Sequence, residues 1–316
     1  MPKFRTSHGS SGRKRKNSSF AVRTFLLIFI ASALIFMIVY LLKNNDFLQQ
    51  NSFKETVFNT DDIEGTGFVP PEKRYYLPSS NTGKVVHHRY YSLSYNEKYE
   101  EAEWVAYVLT KESLRIPNVK RTNWFEEDPM INTGSATYYD YKGSGFTRGH
   151  LAPAGDMAFN DEAMKESFLM SNITPQKRAF NNGIWKELEE NIRNWAWKNN
   201  KLYIATGPVL DRSIRKYIGK NKVGVPKYFY KVILDIDDPG RKGIGFIIPN
   251  DKSTEPLENY EVSIDSVEKL TGIDFFSELL TDDEEEKLES QFNPKKWKVS
   301  SKLYQKRIDI WNKSGN

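Results

Sequence analysis

The feature that most constrains this chain is an uninterrupted apolar run near its N-terminus. Residues 24–42 (TFLLIFIASALIFMIVYLL) contain no charged side chain. As a helix they would be roughly 28 Å long at about 1.5 Å per residue, which matches the hydrocarbon thickness of a bilayer. The run is longer than the apolar part of a cleavable signal peptide, about 7–15 residues, and no small-x-small cleavage site follows Leu42. It therefore predicts an uncleaved transmembrane anchor, in preference to a signal peptide or a buried core helix.

The charges that flank this run predict its orientation. Seven Lys and Arg residues and no acidic residue lie in residues 1–23, whereas only Lys43 follows the run closely. The positive-inside rule then predicts that residues 1–23 are a cytoplasmic tail and that the chain after the anchor lies outside, in the bacterial periplasm or at the cell surface. The acid-free, Ser- and Arg-rich start is also typical of mitochondrial presequences, so the mitochondrial inner membrane is an alternative.

The formal charge of +5 does not by itself indicate a polyanion-binding protein. The chain has 46 Lys and Arg and 41 Asp and Glu; because seven of the basic residues precede the anchor, the rest carries a net charge of −2. Binding to phosphates would need a local patch, and the best candidate comprises Arg212, Arg215, Lys216, Lys220 and Lys222. The absence of cysteine excludes disulfides, thiol nucleophiles and Cys-ligated zinc.

Beyond the anchor, composition and periodicity predict a linker followed by one α+β domain. Residues 43–73 are polar, with Gly65, Gly67 and Pro70-Pro71, and predict a tether; the domain then covers residues 74–316. Strands and helices mix without regular βαβ spacing, which favours an α+β fold. The predicted strands cover residues 90–95, 168–173, 202–206, 228–234 and 243–248. The predicted helices cover residues 99–111, 185–197, 264–270 and 282–292.

The main candidate for a catalytic residue is one of the four histidines. His150 lies in the segment GSGFTRGHLAPA, which is followed by SNITPQ and then by NNGIW, the opening of a helix that carries Glu189. If that helix begins at Asn181, Asn181 and Glu189 share roughly one face. A neutral oxygen beside a carboxylate suits a hard cation such as Mg²⁺ that keeps most of its waters. His87 and His88 are adjacent, so in a strand they point to opposite faces and predict ordinary histidines.

These segments resemble the DNA/RNA non-specific endonucleases of the ββα-metal class. TRGHLAPAGDM followed by SNITPQKRAFNNGIWKELEE carries the resemblance, and further matching stretches fall in family order between about residues 75 and 300. Ordered matches to several motifs are far more specific than one short pattern. The resemblance implies a ββα-metal fold with a central antiparallel sheet flanked by helices, and cleavage of DNA and RNA without sequence preference. It also allows a homodimer, and it implies no organic cofactor.

The resemblance further implies roles for particular residues. His150 corresponds to the general base, Asn181 to the direct protein ligand of Mg²⁺, for which Mn²⁺ could substitute, and Glu189 to the residue that holds a metal-bound water. Asn172 would position His150 or that water. The family's phosphate-binding arginine matches Arg121 best, with Arg148 as the second candidate, since a guanidinium binds phosphate through two hydrogen bonds.

One departure from the family pattern affects what can be expected of the chemistry. The family has Asp before Arg-Gly-His, whereas this chain has Thr147. We expect activity to survive, because Thr147 is neither base nor metal ligand, but rate and metal preference could change. Two alternatives remain: a membrane-tethered nucleic-acid-binding or interaction module of the same fold with weak or no catalysis, and an enzyme that cleaves another phosphodiester, such as a lipid headgroup.

Overall fold

A large antiparallel sheet forms the centre of residues 68–237 and 239–313, the part of the chain that the computed structural model describes. Its seven strands run in the order β1-β2-β3-β6-β9-β10-β11, and two smaller sheets pair β4 with β5 and β7 with β8. The strands are β1 (Lys84–His87), β2 (Tyr91–Asn96), β3 (Glu101–Thr110), β4 (Thr147–His150), β5 (Ile173–Gln176), β6 (Lys201–Pro208), β7 (Tyr217–Ile218), β8 (Val223–Gly224), β9 (Tyr228–Asp235), β10 (Lys242–Pro249) and β11 (Glu261–Val262).

Short helices surround the large sheet. They are α1 (Lys111–Arg115), α2 (Tyr138–Tyr141), α3 (Asp161–Ser167), α4 (Arg178–Phe180), α5 (Lys186–Asn199), α6 (Ile264–Thr271), α7 (Asp282–Glu289) and α8 (Ser301–Lys306). Single helical turns cover Pro71–Lys73, Met170–Asn172, Asn181–Trp185, Leu257–Tyr260, Pro294–Lys296 and Arg307–Trp311. This architecture confirms the predicted α+β class with a central antiparallel sheet.

The sheet separates two apolar cores. One core packs α5 against the sheet through Leu188, Ile192 and Trp195. The other packs α6 and α7 against the opposite face through Val267 and Leu288. The catalytic candidates therefore lie on the face that carries α5, because Glu189 belongs to that helix.

The helix predicted for residues 99–111 is wrong, because this stretch contains the central strand β3. Every residue of β3 is buried. Val105 and Tyr107 point into the core under α5, whereas Trp104 and Ala106 point into the core under α6 and α7. A strand covered on both faces has apolar side chains on both, so its sequence shows no alternation and happens to satisfy helical spacing as well.

Smaller differences concern residues 168–173 and the helix at 185–197. The first stretch ends in a helical turn at Met170–Asn172, and strand β5 begins only at Ile173. The predicted helix is confirmed as α5. Of the three tryptophans in the predicted stretch, Trp185 and Trp195 are buried, but Trp197 is 46% exposed and lies beside Lys111 and Arg115.

Ordered packing begins before the predicted domain start at residue 74. Phe68 packs edge-on against Tyr90. The buried Arg74 donates from Nε to the carbonyl of Val69 and from its two terminal nitrogens to carbonyls of residues 88, 89 and 91 and to the hydroxyl of Ser92. Residues 68–73 thus belong to the packed domain and not to the linker. Within the described ranges, no helix is both long and apolar enough to cross a bilayer. The anchor predicted at residues 24–42 lies outside those ranges.

The segment after α7 packs back onto α5. The buried guanidinium of Arg307 pairs with the buried carboxylate of Glu187. The indole of Trp195 donates to the carbonyl of Lys298 over 3.0 Å, and the amide of Ser300 donates to the side-chain oxygen of Asn191 over 2.9 Å. The C-terminal residues therefore hold the helix that carries Glu189.

Candidate active site

Two short strands and one helix bring the candidate residues together. Strand β4 pairs with β5 so that Thr147 lies opposite Gln176 and His150 opposite Ile173. A Cβ on Gly149 would stand 2.1 Å from the side chain of Gln176, so any larger residue here would displace that buried side chain. After β5 the chain passes through α4 and the turn Asn181–Trp185 into α5. The resulting pocket has a volume of about 320 Å³ and is lined by Arg121, His150, Pro153, Ala154, Gly155, Asn181, Asn182, Lys186, Glu189 and Arg193.

His150 lies at the end of β4 and is only 9% exposed. Its ring packs edge-on against Phe168 at 4.7 Å between centroids and against Phe125 at 5.8 Å. Its Nε2 is enclosed and has no hydrogen-bond partner among the described residues, which leaves Nδ1 as the nitrogen open to the pocket. Burial, together with the charges of Arg121 and Arg148, lowers the pKa of His150 to about 3. The imidazole is therefore neutral at pH 7 and able to accept a proton.

Asn181 is held in place by the residue that departs from the family pattern. Its Nδ2 donates to the hydroxyl of Thr147 over 2.9 Å, and that hydroxyl donates to the backbone carbonyl of Gln176 over 2.9 Å. The amide nitrogen is thereby committed to Thr147, which leaves the side-chain oxygen Oδ1 of Asn181 for another partner. The uncharged hydroxyl of Thr147 thus orients the side chain of Asn181, the predicted metal ligand.

The turn that carries Asn181 is not the start of a regular helix. Asn181–Trp185 form a wide π-type turn, and the backbone at Gly183 (φ −105°, ψ −111°) is not helical. The assumption that α5 begins at Asn181 is therefore wrong, since α5 begins at Lys186. Asn181 and Glu189 nevertheless line the same pocket.

Glu189 stands in a network of opposite charges at one side of the pocket. Burial raises the pKa of Glu189, while the charges of Lys231 and Arg193 oppose that rise. Arg193 pairs with Asp156 over 2.6 Å, and Asp156 also accepts from the hydroxyl of Tyr107 over 2.7 Å. Lys231 and Arg193 favour the ionised form of Glu189 against the effect of burial, and an ionised carboxylate can accept hydrogen bonds from the waters of a bound cation.

Lys231 projects from β9 beneath Glu189 and is fully buried. Its ammonium donates to the carbonyl of Leu151 over 3.2 Å and to the hydroxyl of Thr206 over 3.1 Å, and it lies 4.6 Å from the centroid of the Trp185 ring. Burial lowers the pKa of Lys231, and the negative charge of Glu189 counteracts that effect. Lys231 thus connects the backbone at Leu151, the residue after His150, with the carboxylate of Glu189.

The two candidate arginines occupy different places. Arg121 lines the pocket with His150, donates from Nε to the side chain of Asn123 over 2.9 Å, and lies 4.9 Å from the ring centroid of Phe168. Arg148 lies against the rings of Phe125 and Tyr138 at 4.6 and 4.5 Å, in the adjoining groove. Arg121 thus lines the same pocket as His150, whereas Arg148 lines the adjoining groove.

Asn172 is buried and bonded entirely to backbone. Its side chain accepts from the amide of Ala152 over 2.9 Å and donates to the carbonyls of Ala152 and Ser167 over 3.0 and 2.8 Å. These bonds fix the chain two residues after His150. Asn172 therefore holds the backbone that follows His150 and does not line the pocket.

One groove with several basic residues adjoins the pocket, and a second adjoins the first. The first, of about 650 Å³, shares Asn181 and Asn182 with the pocket and contains Lys142, Arg148 and Arg178. The second, of about 370 Å³, shares Phe146 with the first and contains Lys177, Arg215, Lys216 and Lys227. Arg215 and Lys216 of the predicted patch thus line a groove, whereas Arg212, Lys220 and Lys222 are exposed outside it. His87 and His88 lie away from the pocket and bond to Ser92 and Asp128, each over 2.9 Å.

Four charged residues in or beside the pocket were not predicted from the sequence: Asp156, Lys186, Arg193 and Lys231. Arg193 was recognisable in principle, because it lies one helical turn after Glu189 and must share its face. Asp156 and Lys231 carried no such signal, since only the fold brings them to α5.

Comparison with known proteins identifies the family. Residues 71–282 match the family model described as DNA/RNA non-specific endonuclease. The chain is 38% identical over 204 residues to "Nuclease C1" of Cunninghamella echinulata var. echinulata, covering 60% of this chain and 81% of that protein. It is 35% identical over 203 residues to human "Endonuclease G, mitochondrial", covering 60% of this chain and 68% of that protein.

A solved structure shares the fold. A chain in the crystal structure of the EndoG/EndoGI complex matches with a TM-score of 0.58 and 32% identity, covering 65% of this chain and 89% of that one. The sequence match, the shared fold and the nuclease names of the relatives agree, and this protein belongs to the DNA/RNA non-specific endonuclease family, whose members are hydrolases of nucleic acids.

Proposed function

We propose that this enzyme uses Mg²⁺ to hydrolyse phosphodiester bonds of both DNA and RNA, leaving 5′-phosphate ends. The observation that carries the proposal is a buried, neutral His150 facing a pocket that also contains Arg121, Asn181 and Glu189. In this reaction a water attacks phosphorus, the bond from phosphorus to the 3′-oxygen breaks, and that oxygen leaves with a proton.

His150 is the general base. Its Nδ1 takes a proton from the attacking water, which is the role of a histidine that is neutral at the working pH. The neighbouring aromatic rings keep bulk water away from Nε2 and hold the ring in one orientation. Asn172 positions this base through the backbone, by its bonds to Ala152.

Asn181 and Glu189 hold the cation. The residues present fit a hard ion, because Oδ1 of Asn181 is left over once Nδ2 is committed to Thr147, and Glu189 supplies a carboxylate at the same pocket. When bound, Mg²⁺ supplies positive charge to the phosphate as negative charge develops and acidifies a water for the leaving 3′-oxygen. Mn²⁺, which accepts the same oxygen ligands, can substitute.

The arginines bind the phosphate backbone. Arg121 contacts the phosphate that is cleaved, and Arg148 contacts the adjacent one in the first basic groove. The second groove, with Lys177, Arg215 and Lys216, continues the path of the strand. These contacts are to phosphate and not to base edges or to the 2′-hydroxyl, so neither sequence nor sugar is discriminated.

Residues 24–42 anchor the enzyme in a membrane, with the nuclease domain on the side opposite to the basic tail. Their length and the asymmetry of the flanking charges support this part of the proposal. Bacterial periplasm or cell surface is our first choice of location. The mitochondrial names of several relatives support the mitochondrial inner membrane as the second.

The test is cleavage of supercoiled plasmid and of RNA by the purified full chain, with Mg²⁺ or with EDTA, and with two histidine variants. We expect both substrates to be cut only with the metal, and His150→Ala to lower the rate at least ~100-fold, as for the loss of a general base. His87→Ala is the matched control, since His87 bonds to Ser92 outside the pocket, and it should leave the rate unchanged.

Two results would count against this function. If the folded protein cuts neither substrate with Mg²⁺ or Mn²⁺ but retains binding to both, the tethered binding module is the better description. If it releases headgroups from phospholipid vesicles faster than it cuts plasmid, the substrate class is wrong.

A further inference from the structure

A second cluster of acidic side chains lies away from the catalytic pocket, on the opposite face of the large sheet. Asp265 and Glu268 project from the same face of α6, being three residues apart. Glu289 is the last residue of α7. One carboxylate oxygen from each of the three lies within 4.8 Å of the others. Three such oxygens at this spacing can surround a single ion.

Glu289 is the residue that points to a ligand. Glu289 is only 1% exposed, and its Oε1 has no hydrogen-bond partner among the described residues. A buried carboxylate oxygen without a partner is strongly destabilising. Its place at the C-terminal end of a helix adds to the cost, because that end of the helix dipole is negative.

The surroundings of Glu289 add further negative charge. Burial, followed by the charges of Glu268, Glu285, Asp265 and Asp274, raises the pKa of Glu289 to about 9. Within residues 68–237 and 239–313, none of these five carboxylates forms an ion pair with Lys, Arg or His. The fold therefore concentrates negative charge here and supplies no protein cation to balance it.

We propose that Asp265, Glu268 and Glu289 form a structural binding site for Ca²⁺, separate from the catalytic metal. Carboxylate oxygens are the ligands of hard cations, and the cluster contains no His or Cys that would favour zinc. Ca²⁺ accepts carboxylate oxygens in a flexible, irregular arrangement, whereas Mg²⁺ requires a tighter, octahedral one. Bound Ca²⁺ would join α6 to α7 and stabilise the layer that covers this face of the sheet.

The experiment is thermal unfolding of the purified full chain after removal of metal with EDTA, titrated with CaCl₂ or MgCl₂. At free Ca²⁺ about 100 times its Kd we expect Tm to rise by roughly 5–10 °C. Calorimetric titration should give one Ca²⁺ per chain at this site. The rise should persist in Asn181→Ala, which lacks the proposed ligand of the catalytic metal, and Mg²⁺ should give a smaller rise.

Two variants on α7 make the test specific. Glu289→Gln removes one charge without changing size, so the Ca²⁺-dependent rise should disappear while Tm in EDTA stays the same or increases. Glu286→Gln changes an exposed residue of the same helix and should keep the full rise. Both variants should cut plasmid with Mg²⁺ at the wild-type rate, which also shows that they fold.

Four outcomes would overturn the proposal. Ca²⁺ could leave the Tm of the wild type unchanged, or it could raise the Tm of Glu289→Gln as much as that of the wild type. The rise could also vanish in Asn181→Ala, which would assign the bound Ca²⁺ to the catalytic pocket. An equal or larger rise with Mg²⁺ would overturn the assignment to Ca²⁺. All of these results are independent of whether the enzyme cleaves DNA and RNA.

Discussion

Replacing Thr147 by valine tests whether this residue orients the metal ligand. Valine has nearly the shape of threonine but can neither accept from Asn181 nor donate to the carbonyl of Gln176, so both 2.9 Å hydrogen bonds are lost. The amide of Asn181 would then turn freely, and its nitrogen would face the cation in part of the population. The expected result is weaker metal binding, with the base and the phosphate contacts intact.

The size of the effect follows from these bonds. One net hydrogen bond is worth about 0.5–1.5 kcal/mol, and removing a group that orients a metal ligand typically costs 10–100-fold in metal affinity. We therefore expect the Mg²⁺ concentration for half-maximal plasmid cleavage to rise about 10-fold in Thr147→Val, equivalent to about 1.4 kcal/mol. At saturating Mg²⁺ the rate should recover to within a few-fold of the wild type.

The assay is a Mg²⁺ titration of plasmid nicking at constant ionic strength. Thr147→Ser is the matched control: it keeps the hydroxyl and should stay close to the wild-type midpoint. The reasoning is refuted if Thr147→Val has the wild-type midpoint, or if Thr147→Ser is impaired as much as Thr147→Val.

Two further predictions concern stability. The folded pKa of His150, about 3, lies below its ordinary value of 6.5, so only the unfolded chain binds a proton between these values. The free energy of unfolding should therefore be independent of this histidine's protonation above pH 6.5 and should decrease as the pH falls below that value. Between pH 7 and pH 5 the wild type should lose about 2 kcal/mol more than His150→Ala in urea unfolding; equal losses would mean that His150 is not held neutral. Arg307→Met should lower the free energy of unfolding by about 3–5 kcal/mol, because it leaves Glu187 buried and unpaired. Adding Glu187→Leu should recover most of that loss, and a single-variant loss below ~1 kcal/mol would contradict the burial of the pair.

Sequence patterns predicted the helices with one apolar face, the strands rich in β-branched and aromatic residues, and the segments that carry ordered motifs. Helix α5 has a clear apolar stripe, and strands β6, β9 and β10 are rich in β-branched and aromatic residues. Strand β3 could not be recognised in this way. Its side chains are buried on both faces of the sheet, and helical spacing and complete burial give the same pattern over a short stretch.

The candidate site was predictable in its residue types and less so in its geometry. His150, Asn181 and Glu189 were identified from motif order, and they line one pocket. The π-type turn at Asn181–Trp185 has no marker in the sequence apart from Gly183. Lys231 is brought under Glu189 only by the pairing of β6 with β9, and pairing across large sequence separations cannot be read from local patterns.

The contacts that residues 298–307 make with α5 determine how far the catalytic unit extends along the chain. The family match stops at residue 282, yet Arg307, Lys298 and Ser300 hold α5 from outside that boundary. A fragment limited to residues 71–282 would expose the apolar side of α5 and leave Glu187 without its counter-charge. The minimal autonomous enzyme is therefore larger than the shared family region and includes at least residues 298–307, which brace the helix that carries Glu189.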